Sequence, residues 1–580
     1  MSSAATNSLL LLFAVLHAGS AAALEVSVDA PDELKPLLEQ HLETARAARL
    51  KEVLSEEEIA RLQRVSRDTA RELLATEGYF SPHIEDTLER AGEDWRVRYQ
   101  VNPGRRTLVR TLSVTFAGAV SEDSAARQSR RERIERGFAL QPGMPFRQAD
   151  WDKAKSSVLR PLQSARYPAA RIAESAARID PEAAAADLSV LIDSGPVFFI
   201  GAVRVSGSQR YPESIVRNYS PLDSGKPYHL QDLLDYQMAL EASGYYSQSS
   251  VRIDPDPQQA SAAPILVEVV ERPAKTASFG VGVNTDSGAH VQSTLLHRNL
   301  MNQGLRLKLD AKIETKQQEG IAELARPRNA RGYDESLGLR LRHSDIEGEE
   351  TRSWALTAKR TRTRGQIEAT LAVQYQNEEQ TIGDVLSERN QALTATYSWT
   401  KRNIGRAFYP RSGYVLNLQG GGAVEALLSD TTFLRLYGRH TQYFRLGNNG
   451  RLVLRGELGA ALANSSEGIP TDFLFRAGGD NSVRGYDYQS LGLDLPDGVE
   501  SVRYLATASV EYNYFFNRTW GMALFVDVGD AADSPSDLSP VFGPGIGARY
   551  NSPVGPINLD LAYGEAVDEF RLHFSLGVSF

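Results

Sequence analysis

The chain has no cysteine. Disulfides, thiolate metal sites and a cysteine nucleophile are therefore excluded. Beyond the N-terminus it also lacks any run of about 18 apolar residues, the length a helix needs to cross a bilayer. A basic excess is missing too: 64 Lys and Arg stand against 73 Asp and Glu, a formal net charge of -9. A dedicated nucleic-acid binder would carry a basic domain, so nucleic acid is not an expected partner. No Gly-x-Ser-x-Gly elbow, His-Glu-x-x-His pair or P-loop occurs, and the 9 histidines are scattered. The sequence thus offers no catalytic constellation, cofactor site or metal site, and an enzyme is not expected. None of these absences excludes a membrane β-barrel, whose alternating strands average out in a hydropathy window.

What is present is clearest at the end. In Phe570 to Phe580, FRLHFSLGVSF, apolar residues alternate with Arg571, His573, Ser575, Gly577 and Ser579. Successive side chains of a strand point to opposite faces, so one face is apolar and the other polar. The stretch is about 11 residues long, enough for a tilted strand to cross a bilayer. An open apolar edge invites aggregation, whereas in a closed barrel every edge is paired.

At 580 residues the chain is too long for one core, so several domains are expected. Leu9 to Leu16 is a short apolar core followed by Ala21-Ala22-Ala23. It reads as a signal peptide over 1–23, although the residues before it carry no Lys or Arg. Three related segments follow. Leu24 to Val28 reads as a strand, Pro31 to Leu50 as a helix, and Ser55 with Glu58 as the capping box of another. Gly78-Tyr79-Phe80 breaks that helix, and strands follow to the Asn102-Pro103-Gly104 joint. A similar order recurs from Leu108 to Ser194-Gly195-Pro196 and from Phe198 to Arg272-Pro273. A repeat of about 80 residues marks tandem modules, here 24–104, 105–195 and 196–273.

From Ser278 to the end the pattern becomes long alternating runs. Leu305, Leu307, Leu309 and Ile313 oppose Arg306, Lys308, Asp310, Lys312 and Glu314. A polar lumen with a lipid-facing exterior accounts for both faces. Sixteen such runs can be counted in 274–580, an even number as bacterial barrels require. Short links such as Gly447-Asn448-Asn449-Gly450 and Ser552-Pro553-Val554-Gly555 are expected in the periplasm. The longest link, about 463–502, is expected outside the cell.

The segments carrying Gly78-Tyr79-Phe80 and Gly244-Tyr245-Tyr246 resemble POTRA domains. The second departs, with Ala165-Arg166-Tyr167 in place of the glycine. The long link holds Phe475-Arg476-Ala477-Gly478-Gly479 and, shortly after, Val483-Arg484-Gly485-Tyr486. With Phe525-Val526-Asp527-Val528-Gly529 and the terminal Phe580, these resemble BamA-type outer-membrane assembly factors and two-partner secretion pores over essentially the whole chain. The resemblance implies three α+β POTRA-like modules in the periplasm, then a 16-stranded antiparallel transmembrane β-barrel in the bacterial outer membrane. It also implies that the Val-Arg-Gly-Tyr tip folds back into the lumen. Alternation turns Glu511 and Asp527 inward, where they would offer Arg484 acidic partners. The first strand, Ser278-Phe279-Gly280-Val281-Gly282-Val283-Asn284, must meet the last, with Phe570, Phe574 and Phe580, at a short lateral seam.

Within that family, three modules and sixteen strands most resemble the TamA branch, the outer-membrane subunit of the translocation and assembly module. This implies assembly of autotransporters and other barrel proteins as clients in the bilayer, with an inner-membrane-anchored partner of the TamB type. Two alternatives are a secretion channel passing an unfolded client through its lumen and a passive porin. A porin needs no periplasmic modules.

Overall fold

The computed structural model describes residues 24–52, 54–92, 94–122, 124–383, 386–405, 410–552 and 555–579. The expected signal peptide, the Pro553-Val554 link and Phe580 lie outside these residues.

The first module runs β1 (Leu24–Asp29), α1 (Lys35–His41), α2 (Glu43–Leu50), α3 (Glu56–Thr76), β2 (His83–Ala91) and β3 (Asp94–Asn102). Its sheet has the order β1-β3-β2, with β1 parallel to β3. The Ser55–Glu58 capping box is formed at the start of α3. The helix expected over Pro31 to Leu50 is two helices. Leu42 is extended, at ψ 133°, and the next turn is re-aimed. The Thr44 N–H is thereby freed to donate to Ser66 Oγ at 2.9 Å, and Thr44 Oγ1 lies 3.0 Å from the Tyr99 hydroxyl. Leu38 and Leu42 are both fully buried by the same break.

The second module contains β4 (Leu108–Ala117), α4 (Ala125–Arg136), α5 (Gln148–Gln163), β5 (Arg171–Asp180) and β6 (Ala185–Asp193). Its sheet order, β4-β6-β5, repeats that of the first. Its missing glycine has a structural answer. Arg166 takes φ 73°, the left-handed conformation that Gly78 (φ 91°) and Gly244 (φ 81°) take just before their tyrosines. The turn is therefore kept at the cost of backbone strain in a residue with a Cβ.

The third module holds β7 (Ile200–Ser206), α6 (Glu213–Asn218), α7 (Leu230–Ala242), β8 (Tyr246–Ile253) and β9 (Ala263–Glu271), with the order β7-β9-β8. Residues 205–221 and 235–251 of it share a compact unit with the rest of the chain from Leu266.

Sixteen strands then close into one barrel. They are β10 (Lys275–Asn284), β11 (Gly288–Leu300), β12 (Leu305–Glu314), β13 (Gln317–Arg326), β14 (Asp334–Ile346), β15 (Glu349–Arg364), β16 (Ile367–Ile382), β17 (Leu386–Ile404), β18 (Gly413–Ala423), β19 (Phe433–Leu446) and β20 (Gly450–Leu462). After the long link, which carries a small hairpin of β21 (Leu493–Leu495) and β22 (Gly498–Glu500), come β23 (Tyr504–Phe515), β24 (Trp520–Ala532), β25 (Val541–Ser552), β26 (Gly555–Gly564) and β27 (Glu569–Ser579). Alternation decides the faces. Leu309, Ile313, Leu371, Val510, Leu524 and Val526 are exposed on the outer wall, while Asp527 between Val526 and Val528 is fully buried.

Module three is fixed to the start of the barrel within that unit. The buried Arg298 donates through Nε to the Gly244 carbonyl at 2.8 Å and through Nη1 to the Pro273 carbonyl at 3.1 Å. The Tyr245 hydroxyl donates to the Gly304 carbonyl at 2.6 Å, and Asn299 donates to the Arg210 carbonyl at 2.9 Å.

Candidate functional site

The long link enters the barrel and docks on two parts of its inner wall. The first dock lies at the strand ends far from module three. Ile469, Leu474, Phe475, Ala477 and Val502 of the link pack with Ala392, Ala423, Phe433, Ala461, Leu505 and Ala531 of the wall. Phe475 stacks on Tyr437 with ring centroids 6.3 Å apart, in space left by Gly459. Ionic anchors flank this cluster. Asp472 pairs with Arg340 and Arg342, and Arg476 with Glu349 at 3.0 Å. Thr471 donates from N and Oγ1 to Glu378 at 2.7 and 2.9 Å. Polar inner-wall residues, expected from strand alternation, thus meet a link that also brings apolar side chains into the lumen. Apolar link residues find an apolar patch on the inner wall, and burying both drives the link inward.

The second dock centres on Arg484. Its Nε and Nη2 donate to the two oxygens of Asp527 at 2.7 and 3.0 Å, a bidentate fork. Its Nη1 reaches Glu511 at 2.9 Å and Asp560 at 2.8 Å. Its own backbone N–H also donates to Asp527 at 3.1 Å, and its guanidinium lies 3.3 Å from the centroid of the Phe525 ring. Arg549, 1% exposed, pairs with Glu511 at 3.0 Å and with Asp560, so two guanidinium groups and three carboxylates form one network. Such a buried network holds a single geometry because any broken pair leaves an uncompensated charge.

The neighbouring residues of the tip are placed with equal definition. Val483 is fully buried. Gly485 has φ 99°, and a Cβ there would sit within 3.0 Å of the Tyr563–Gly564 backbone, so only glycine fits. Its N–H donates to His573 Nε2 at 2.9 Å. The Tyr486 hydroxyl donates to the Phe542 carbonyl at 3.1 Å and accepts from the Ala566 N–H at 3.0 Å. Room for this approach comes from β25. A Cβ at Gly543 would run into the Arg484 carbonyl, and one at Gly545 into the Phe525 ring.

At the seam, β10 and β27 pair among the described residues from Gly280–Ser579 to Asn284–Ser575, five pairs, whereas β15 and β16 pair over sixteen. Two further bonds extend the seam outward: Thr285 N–H to the Phe574 carbonyl at 3.0 Å and Phe574 N–H to Thr285 Oγ1 at 3.1 Å. Phe279, Val281 and Val283 are exposed on the outer face. Ser278 and Phe279 are placed opposite Thr294 and Ser293 of β11. Phe570 is brought not to β10 but to β26, opposite Tyr563, with ring centroids 5.0 Å apart.

Sequence reading missed Asp560, Arg549 and His573 as members of this site. The signal for Asp560 was available: it lies between Leu559 and Leu561, and alternation turns it inward as it does Asp527. Arg476 stood out as part of the Phe475–Gly479 motif, but neither its partner Glu349 nor the anchor Asp472 carried a signal, because nothing local says which wall a link will meet.

Comparison with known proteins can now be set beside this geometry. The Omp85 superfamily domain matches residues 274–580. The chain belongs to the Omp85 superfamily. Residues 27–103 match the first POTRA domain of TamA, and 198–272 match the POTRA family described as a surface antigen variable number repeat. Outer membrane protein assembly factor BamA of Nitratidesulfovibrio vulgaris is 25% identical over 407 residues, 66% of this chain and 51% of its own. The chain thus spans about half the length of that relative. BamA of Neisseria meningitidis serogroup B is 21% identical over 586 residues, 87% of this chain and 71% of its own. In fold, the crystal structure of Haemophilus ducreyi BamA lacking POTRA domains 1–3 superposes with a TM-score of 0.64 at 16% identity, over 82% of this chain and 100% of that one. This Omp85 protein is an outer-membrane β-barrel with its POTRA modules in the periplasm.

Proposed function

We propose that this Omp85 protein assembles and inserts other barrel proteins, autotransporters among them, by templating their strands at its lateral seam. The observation that carries the reading is the contrast between seam and lumen. The link occupies the inside of the barrel through two docks, while the β10–β27 pairing covers only Gly280 to Asn284 among the described residues. A short ladder is the weakest place in a closed sheet, and an exposed strand edge accepts a client strand by β-augmentation. Two relatives named outer membrane protein assembly factor support the same reading.

Within the superfamily we assign the chain to the TamA type. Three modules and the match of 27–103 to the first TamA POTRA domain support this. On that reading, a TamB-type protein anchored in the inner membrane would dock on the periplasmic modules or the barrel. The tip residues Val483 to Tyr486, with Glu511 and Asp527, would hold the link in place while the seam works.

The test places a photoreactive residue at each position of 278–284 in intact cells. Crosslinks to nascent outer-membrane barrels are the expected result. Crosslinks to β27 alone, with clients captured instead from the lumen at position 441, would overturn the reading in favour of a secretion channel. A cysteine pair at Val281 and Val578, opposite each other in the seam, gives a second check. When oxidised it should stop client insertion, and reduction should restore it.

A further inference from the structure

Beside the Arg484 network lies a group of side chains that includes two carboxylates the docking described above does not use. Asp286 sits in the turn between β10 and β11, Asp480 in the link and His573 in β27, and their ligand atoms lie within 4.8 Å of one another. The Asp480 N–H donates to both Asp286 oxygens at 3.2 Å, and Thr285 Oγ1 donates to Asp480 at 3.3 Å. His573 Nδ1 is 2.6 Å from Asp480. These contacts join the link to both sides of the seam at its outer end.

The charges at this point are unusual for the barrel. Asp527, Glu511 and Asp560 are neutralised by Arg484 and Arg549, and Glu314 by Lys312 at 2.8 Å. Among the described residues no ion pair is formed by Asp286, its carboxylate lies within 4.8 Å of that of Asp480, and the Tyr488 ring and an Asp286 oxygen both flank Gly479. His573 does not supply the charge. Its Nε2 accepts from the Gly485 N–H, so its one proton sits on Nδ1 and is donated to Asp480. The same assignment leaves neither ring nitrogen free to ligate a metal. A proton on Asp286 would relieve the repulsion between the two carboxylates.

We propose that Asp286 is a proton-binding latch against Asp480, closing the link onto the outer end of the β10–β27 seam when its carboxyl is protonated and loosening it when it is ionised. Burial, with the charge of Asp480 beside it, pushes the Asp286 carboxyl up to about 6. The docked state therefore binds the proton more tightly than a free turn would. Its stabilisation is fully present below the ordinary aspartate range near 3.9, and is lost as pH rises through about 6.

The chain is free of native cysteine, so spin labels on Asn481→Cys and Ala289→Cys report the distance between link and turn in the full-length protein in liposomes. The short-distance population should fall by about half or more between about pH 5 and about pH 8, either side of the Asp286 value. Asp286→Asn, whose amide donates to Asp480 at any pH, should stay short throughout. His573→Gln, which can still accept from Gly485 and donate to Asp480, should keep the wild-type response. An unchanging wild-type distribution overturns the latch. So does an Asp286→Asn protein that still responds to pH or never docks, or a His573→Gln protein that loses the response. Because no client enters the measurement, its failure is distinct from failure of seam-templated assembly.

Discussion

Arg484 converts a loop into part of a wall. Its guanidinium is buried with Asp527, Glu511 and Asp560, and each contact depends on the others keeping their geometry. Arg484→Ala leaves three carboxylates sharing only Arg549 and the more distant Arg455, 3.9 Å from Asp527. Removing one partner of a buried pair costs about 3–5 kcal/mol. Arg484→Ala and Asp527→Ala should each expose residues 478–490 to added protease in folded, membrane-inserted protein and impair client assembly. Wild-type resistance and activity in both would rule out the dock as the link's anchor. Arg166 makes a prediction of the opposite sign. Its φ of 73° is strained for any residue with a Cβ, by about 1–2 kcal/mol, and its backbone bonds to Tyr228 and Phe198 do not need its side chain. Arg166→Gly should therefore slow local hydrogen exchange, several-fold, at the amide of position 166 in module two and at that of Phe198 in module three. At this scale the sequence was only half legible. Alternation turned Glu511 and Asp527 inward, but it cannot say that β26 and β27 curl round to bring Asp560 and His573 to the same point.

Strands were easier to read than helices. In the barrel each strand sits between lipid and a polar or covered interior, so period two is imposed along its whole length. In module one, Pro31 to Leu50 carries helical periodicity on both sides of Leu42, and only the tertiary bonds of Thr44 to Ser66 and Tyr99 explain the break. The element that joins module to barrel was invisible for a similar reason. Arg298 near the end of β11 reads as one more polar residue, yet it holds the carbonyls of Gly244 and Pro273 and the Thr276 hydroxyl. Arg298→Ala would leave two part-buried carbonyls without that donor, at about 2–3 kcal/mol of local stability. The segment 270–276 should then become the first protease-sensitive site of the full chain in liposomes, with barrel heat-resistance on gels unchanged. Equal protection in wild type and variant would show that Tyr245 and Asn299 suffice to hold the junction.

A sixteen-stranded barrel is wide enough to leave an aqueous channel. Here the link takes that space. Its apolar cluster covers the outer strand ends, its Asp472 and Arg476 bind the β14–β15 side, and its Arg484 binds the β23–β26 side. These docks lie on different parts of the wall, so the link spans the lumen rather than lining one face of it. A pore for passive diffusion would keep its interior wet and polar, and the apolar packing of Phe475 against Tyr437 and Phe433's neighbours argues against that use. The difference is measurable as conductance in a planar bilayer. The intact protein should show low conductance with brief openings. Replacing 471–500 with a short Gly-Ser linker removes both docks at once and should give a steady, many-fold larger conductance. Arg484→Ala alone should fall between the two, because the Asp472 and Arg476 anchors remain. A wild-type protein that already conducts as steadily as the deletion would mean the lumen is open in the bilayer, and the seam would lose its claim as the working surface.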